Sequence, residues 1–187
     1  MKALSVAVLG GLLCWGCAAD FVETSEANVI LRIVRITGES GHDSEEGDFI
    51  LSDVTPNFND NATLEMEVIA KNPRLPDPGI FNDVYVSQYE VRYVRSDGRA
   101  VEGVDVPFHI TGNMATLVPV DGTASAAIVV VRHQAKDEPP LRNIRGGGGA
   151  ILLTVMANIT VFGHTTAGQA VQASGSLQIS FADFAND

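Results

Sequence analysis

The stretch that best indicates the fold is residues 63–68, Thr63-Leu64-Glu65-Met66-Glu67-Val68, in which polar and apolar residues alternate. Successive side chains of a β-strand point to opposite faces of its sheet, so this period of two predicts a strand with one buried and one solvated face. The predicted inward set is Leu64, Met66 and Val68. A strand with one solvated face is typical of an antiparallel sheet that packs on a core.

On both sides of this stretch, the chain consists of segments rich in β-forming residues. They are separated by dipeptides typical of turns, such as Asp97-Gly98 and Asp121-Gly122. Val and Ile together number 34 against 13 Leu, and no segment shows a sustained helical period. We place eight strands at Val29 to Ile36, Thr63 to Ala70, Val84 to Arg95, Val104 to Ile110, Ala115 to Val120, Ser125 to Arg132, Ala150 to Phe162 and Ala170 to Phe181. The predicted fold is therefore all-β, an immunoglobulin-like antiparallel β-sandwich of about seven to nine strands.

Size and charge narrow the class of protein further. The chain has 187 residues, 12 Lys and Arg against 23 Asp and Glu, and a formal net charge of −11. This length fits one domain. The acidic balance and the lack of a basic tail exclude nucleic acid as an expected partner, because such a surface repels phosphate backbones.

The first residues of the chain have the pattern of an export signal. Met1-Lys2 is followed by an apolar run from Ala3 to Leu13, and then by Cys14-Trp15-Gly16-Cys17. The pair Gly16-Cys17 resembles the lipobox of bacterial lipoproteins, although Cys14 and Trp15 stand where that family prefers Leu and a small residue. The resemblance implies that Cys17 is linked to diacylglycerol, acylated, and left as the new N-terminus.

This resemblance divides the chain into a signal peptide at 1–16, a lipidated N-terminus and short tether at 17–27, and a β-sandwich domain at 28–187. Ala18, rather than an aspartate, follows the acylated cysteine, which implies transport to the outer membrane of a bacterial cell envelope. Cys14 and Cys17 are the only cysteines. No disulfide is therefore expected in the domain.

The predicted connection from Thr37 to Ala62 is strongly acidic and contains no basic residue. Carboxylate oxygens suit Ca²⁺. Residues 57–62, Asn57-Phe58-Asn59-Asp60-Asn61-Ala62, also resemble the D-x-N-D-N-A calcium motif of cadherins. The candidate metal ligands are Asp53, Asn59 and Asp60, and Ca²⁺ is the one candidate cofactor. The alternative is a solvated acidic loop with Asn and Asp turns.

The second long connection, from His133 to Gly149, follows Arg132 and forms a basic island with it. Together they contain four of the chain's 12 Lys and Arg residues. The candidate residues for an anionic ligand or partner are Arg132, His133, Lys136, Arg142 and Arg145. Arginine suits recognition of carboxylate or phosphate, so lipid headgroups, an anionic glycan or an acidic envelope protein are candidate partners. The alternative is that these cations pair with nearby acidic residues and fix a crossover between the sheets.

Tyr85, Tyr89 and Tyr93 are four residues apart and are predicted to share one face of a strand. Such a row either stacks sugar rings or a peptide on an exposed sheet, or belongs to the core with its hydroxyl groups at the rim. The core interpretation is the commoner one.

Motifs of the common catalytic sites are absent from the sequence. It contains no G-x-S-x-G, no H-E-x-x-H, and no cysteine beyond Cys17. We expect no enzyme. The expected function is that of a membrane-anchored cell-envelope lipoprotein with a non-catalytic binding or structural domain. The alternative is a calcium-dependent adhesion or surface-assembly module that uses the acidic 38–62 loop.

Overall fold

The computed structural model describes residues 27–41, 46–55, 58–72, 79–147 and 151–184. These ranges contain nine strands and three short 3-10 helices. The strands are β1 (Val29–Glu39), β2 (Glu46–Gly47), β3 (Phe49–Asp53), β4 (Asp60–Ala70), β5 (Val84–Arg95), β6 (Ile110–Val118), β7 (Gly122–Val131), β8 (Leu153–Thr165) and β9 (Ala170–Ala182). The 3-10 helices are η1 (Ile80–Asn82), η2 (His133–Asp137) and η3 (Leu141–Ile144).

The strands form two sheets that pack as a sandwich. One sheet has four strands in the order β2-β1-β4-β7, and the other has five in the order β3-β9-β8-β5-β6. Every strand pair is antiparallel except β3 with β9, which is parallel. The prediction of an all-β sandwich is confirmed.

The core lies between the two sheets and follows the predicted alternation. Leu64, Met66 and Val68 of β4 are fully buried, as predicted. Opposite them, the five-stranded sheet contributes buried residues such as Val91 and Ile159. Alternation is a dependable signal here because each strand has one face on the core and one in solvent.

The predicted strand from Val104 to Ile110 is wrong. In that segment the carbonyl of Val101 accepts hydrogen bonds from the amides of residues 104–106 at 2.8 to 3.3 Å, which closes a turn instead of a ladder. Gly103 adopts a positive φ of 72°, and Pro107 has no amide to donate to a ladder. The strand begins only at Ile110, and the predicted strand Ala115 to Val120 is the second half of this longer β6.

Two strands lie inside the connection that was predicted as a loop from Thr37 to Ala62. β2 forms a short hairpin with the end of β1. β3 crosses to the other sheet and pairs with β9, with Phe49 opposite Gln178 and Asp53 opposite Ala182. The crossing from β2 to β3 closes the side of the sandwich on which β1 and β9 face each other.

The tyrosine row is split by a β-bulge. The pairing of β5 with both of its neighbours shifts register between Val86 and Gln88. An extra residue in a strand reverses the direction of the side chains that follow it. Tyr89 and Tyr93 therefore point into the core, as the core interpretation predicts, whereas Tyr85 is on the outer face and exposed. The prediction that all three share a face is wrong.

The strand registers define two ends of the sandwich. Ala27 and β1 begin at the first end, called here the N-terminal end, beside residues 71–72, 79–83, 119–121 and 166–169. Residues 40–41, 54–55, 58–59, 96–109, 132–147 and 151–152 lie at the second end, called the opposite end. The 13-residue strands β8 and β9 span roughly 40 Å between these ends, at about 3.3 Å per residue.

The predicted signal peptide at 1–16, the lipidation site Cys17, and the predicted tether at 17–27 apart from Ala27 lie outside the described residues. In the part of the chain that the structure describes, no helix has the length and apolar character needed to cross a membrane.

Candidate functional site

The basic segment from Arg132 to Arg145 lies at the opposite end as an ordered crossover. It forms the 3-10 helices η2 and η3, one after the other. Leu141 and Ile144 of η3 are buried in the core. The segment is thus held against the sandwich by apolar contacts as well as by polar ones.

Lys136 is the most deeply buried charged residue of this segment. Its side chain is 1% exposed, and its Nζ lies 3.2 Å from Oδ2 of Asp60, whose side chain is 0% exposed. Oδ1 of Asp60 also accepts a hydrogen bond from the amide of Gly41 at 3.0 Å, and Oδ2 accepts one from the hydroxyl of Ser52. The cation therefore has its counter-ion inside the protein, and that counter-ion is held by two further donors.

This pair corrects two predictions. Lys136 was predicted to meet an external anion, but burial and ion pairing with Asp60 withdraw it from the surface. Asp60 was predicted as a Ca²⁺ ligand, but its oxygens already accept Lys136, Gly41 and Ser52. Burial of two charges is tolerated only where they pair and their remaining bonds are satisfied, and this geometry meets both conditions.

Arg145 and His133 also bond to the sandwich. The guanidinium of Arg145 donates from Nε to the carbonyl of Val54 at 2.9 Å and lies 2.7 Å from Oδ1 of Asp137. The amide of His133 donates to Oδ1 of Asn59 at 2.8 Å. Lys136 and Arg145 thus pair with acidic residues of the protein, as the crossover interpretation predicts, whereas His133 contributes a backbone amide to an uncharged side chain.

Arg132 and Arg142 have exposed side chains. Arg132 donates from one terminal nitrogen to the carbonyl of Thr111 at 3.0 Å, which links the end of β7 to the start of β6 across the two sheets. Its remaining guanidinium donors face the surface. These two arginines are the members of the predicted set that present positive charge to solvent.

A groove of about 390 Å³ opens beside Arg132, between the start of β6 and η2. Both apolar and polar residues line it: Phe108, His109, Ile110, Arg132, Gln134, Ala135 and Glu138. Exposed Val101 and Val104 lie in the neighbouring connection. A groove of this composition suits a partner segment that combines a carboxylate with an apolar side chain.

The sequence did not indicate Phe108 and His109 as site residues, because the alternation of 104–110 placed them in a strand. His109 lies with Nδ1 3.0 Å from Oε1 of Glu102, at the surface.

The remaining predicted metal ligands do not converge with Asp60. Asn59 accepts from His133, as described above, and Oδ1 of Asp53 accepts from the amide and the hydroxyl of Thr55 at 2.8 and 2.7 Å. Oδ2 of Asp53 is buried and has no hydrogen-bond partner among the described residues. Within those same residues, no group of three or more His, Cys, Asp or Glu side chains is arranged to hold a metal ion.

The buried tyrosines of β5 have structural roles. The hydroxyl of Tyr93 donates to the carbonyl of Val130 at 2.6 Å, which joins the two sheets through the core. Burial raises the pKa of Tyr93 well above its usual range. The ring of Tyr89 packs over Gly112, where an added Cβ would lie 2.4 Å from the ring.

Comparison with known proteins assigns the chain to no family, so the class of protein is defined by its fold. No protein-family model matches it, and no curated protein matches it. The chain is thus an all-β sandwich of two sheets, with a groove beside the exposed Arg132 at one end.

Proposed function

We propose that this protein is a non-catalytic binding module, anchored in the bacterial cell envelope through lipid on Cys17, and that the opposite end binds an acidic envelope partner. The observation that carries the binding proposal is the combination of Arg132, Arg142 and the apolar groove on a protein of net charge −11. Anionic partners are repelled by most of such a surface, so the exposed arginines beside the groove direct them to one place.

The anchor is tested by intact mass and membrane fractionation of the native protein beside a Cys17→Ala variant. The expected native chain starts at Cys17, carries diacylglycerol and an acyl group such as palmitate, and sediments with outer membranes. The variant should lack the lipid and leave the membrane fraction. An unmodified, soluble native chain would contradict the anchor.

The binding end is tested by crosslinking in intact cells with an Arg132→Glu/Arg142→Glu variant. Its matched control is Arg35→Glu, which reverses an exposed charge on β1, away from the groove. We expect the control to retain the crosslinked species and the double variant to lose them, with melting temperatures showing that both are folded. Unchanged crosslinks in the double variant would refute this binding site and leave the anchor standing.

The second candidate function is a calcium-dependent adhesion or surface-assembly module. The observation that favours it is the buried, unpartnered Oδ2 of Asp53, because a cation would satisfy that oxygen. The expected result is a melting temperature that rises with Ca²⁺, falls again with chelator, and does not respond in Asp53→Asn. An unchanged melting temperature in saturating Ca²⁺ would exclude this function.

A further inference from the structure

The N-terminal end of the sandwich carries two adjacent apolar side chains that project into solvent. Ile80 and Phe81 of η1 are 74% and 69% exposed, more than any other large apolar side chain of the described residues. Single exposed apolar residues are common on soluble proteins, but two neighbouring ones at a chain tip form a contact surface. We call Ile80 and Phe81 the apolar tip.

The backbone beneath the apolar tip is fixed by the β8–β9 turn. The amide of Ala167 donates to the carbonyl of Phe81 at 3.1 Å, and the hydroxyl of Thr166 donates to the carbonyl of Ile80. The amide of Thr166 donates to the carbonyl of Asp83 at 2.8 Å. Because these carbonyl groups already accept hydrogen bonds, moving the apolar tip out of water leaves them with partners. This lowers the cost of inserting the tip into an apolar phase.

The outer face of the neighbouring sheet continues this surface with amphipathic residues. Tyr85 and Leu117 are exposed cross-strand neighbours on β5 and β6. The ring of Tyr85 also lies 5.6 Å from that of His164 on β8. Tyrosine is favoured at the level of lipid headgroups, where one end of its ring is apolar and the other is hydrated.

The apolar tip lies at the end from which the predicted tether leaves. Ala27 and Ala170 line the same surface cavity, and the amide of Lys71 donates to the carbonyl of Asn28 at 2.9 Å. About ten residues separate Ala27 from Cys17, a span of at most roughly 35 Å when fully extended. A lipid on Cys17 therefore holds the start of the sandwich, at the N-terminal end, within roughly 35 Å of the bilayer surface.

We propose that Ile80 and Phe81 insert into the lipid interface and seat the N-terminal end of the sandwich on the membrane. This inference rests on the proposed lipid anchor at Cys17 and adds a second, reversible contact with the same membrane. Each side chain that leaves water should strengthen the contact about tenfold.

The experiment uses tryptophan as a depth reporter in the full, lipidated protein. The only tryptophan of the chain is Trp15, inside the predicted signal peptide, so Phe81→Trp provides a single emitter after processing. The protein is reconstituted in phosphatidylcholine vesicles with brominated acyl chains, since neutral lipid avoids repulsion of the acidic surface. The matched control is Val104→Trp, which replaces an exposed apolar residue at the opposite end.

The expected result is that brominated lipid quenches most of the Phe81→Trp emission and little of the Val104→Trp emission. Adding Ile80→Ser to Phe81→Trp should weaken the contact with lipid about tenfold and lower the quenching accordingly. Adding Val101→Ser instead should leave the quenching unchanged.

Three outcomes would overturn the inference. Lipidated protein that floats with the vesicles but shows no quenching at residue 81 would refute the insertion while the anchor stands. Shielded emission that is the same with and without vesicles would mean that another part of the chain covers the tip. A native protein that carries no lipid and does not float would refute the anchor, and the inference with it.

Discussion

Replacing Lys136 with methionine should destabilise the sandwich strongly, because the change leaves the carboxylate of Asp60 buried without its counter-ion. Lys136 and Asp60 are 1% and 0% exposed, and their charged atoms are 3.2 Å apart. Removal of one partner of a buried ion pair typically costs about 3–5 kcal/mol. The hydrogen bonds from Ser52 and Gly41 reduce this cost but cannot neutralise the charge. For a domain of this size, the expected fall in melting temperature is roughly 6–20 °C.

The assay is chemical denaturation of purified Lys136→Met, Asp60→Asn and the double variant. Thermal melting curves are recorded for the same proteins. The double variant removes both charges. Its amide oxygen can still accept from the amide of Gly41, and its amide nitrogen can donate to the hydroxyl of Ser52, so it should regain most of the lost stability. The exposed Arg35 on β1 provides the control, since Arg35→Met should change the free energy of unfolding by less than about 0.5 kcal/mol. A loss below 1 kcal/mol in Lys136→Met, or three variants with simply additive losses, would refute the reasoning.

Two further predictions test the core. Tyr93→Phe should lower the free energy of unfolding by about 0.5–1.5 kcal/mol at neutral pH through the lost bond to Val130, measured by denaturation. The difference in free energy of unfolding between wild type and variant should shrink above pH 10. The raised pKa keeps Tyr93 protonated in the native state, whereas the same tyrosine ionises near pH 10 in the unfolded state. This ionisation stabilises the unfolded wild type and has no counterpart in the phenylalanine variant. Gly163→Ala should cost about 1–3 kcal/mol, since its Cβ would lie 2.5 Å from the carbonyl oxygen of Tyr85. Gly47→Ala, with nothing nearer than 3.5 Å, should be nearly neutral in the same measurement.

The predicted strands were most reliable where one face of the sheet is buried and the other solvated. The alternation at 63–68 identified Leu64, Met66 and Val68, all of which are fully buried. The bounds of β5, Val84–Arg95, are the predicted ones. In these strands the local pattern and the tertiary environment impose the same period, so the sequence alone is sufficient.

The prediction failed where long-range pairing determines the local structure. β3 lies within an acidic segment and is a strand because it pairs with β9, more than a hundred positions later. The bulge that turns Tyr85 outward depends on the strands beside β5, including the close approach of Gly163 to the Tyr85 carbonyl. Neither feature leaves a periodic signal in its own segment.

The charge pattern identified the basic segment from Arg132 to Arg145 as a distinct part of the chain, but it did not predict the contacts that its residues make. The basic segment was recognised as a separate island, yet the burial of Lys136 depends on Asp60, which is 76 positions away. A charge pattern predicts that cations and anions are available to pair, whereas only the fold determines which pair is buried and which arginine remains exposed. The groove depends likewise on the turn at 101–106, which alternation mistook for a strand.

The positions of the two ends limit what the exposed arginines can bind. Under the proposed anchor, Cys17 and the apolar tip both hold the N-terminal end at the membrane, and the sandwich places Arg132 and Arg142 roughly 40 Å farther out. Coulomb attraction at physiological salt decays over about 8 Å. Headgroups of the anchoring leaflet are therefore too distant to be ligands of the groove. Of the anionic ligands that the sequence suggested, an acidic envelope protein and an anionic glycan remain. The apolar side chain of Phe108 in the lining of the groove favours the protein.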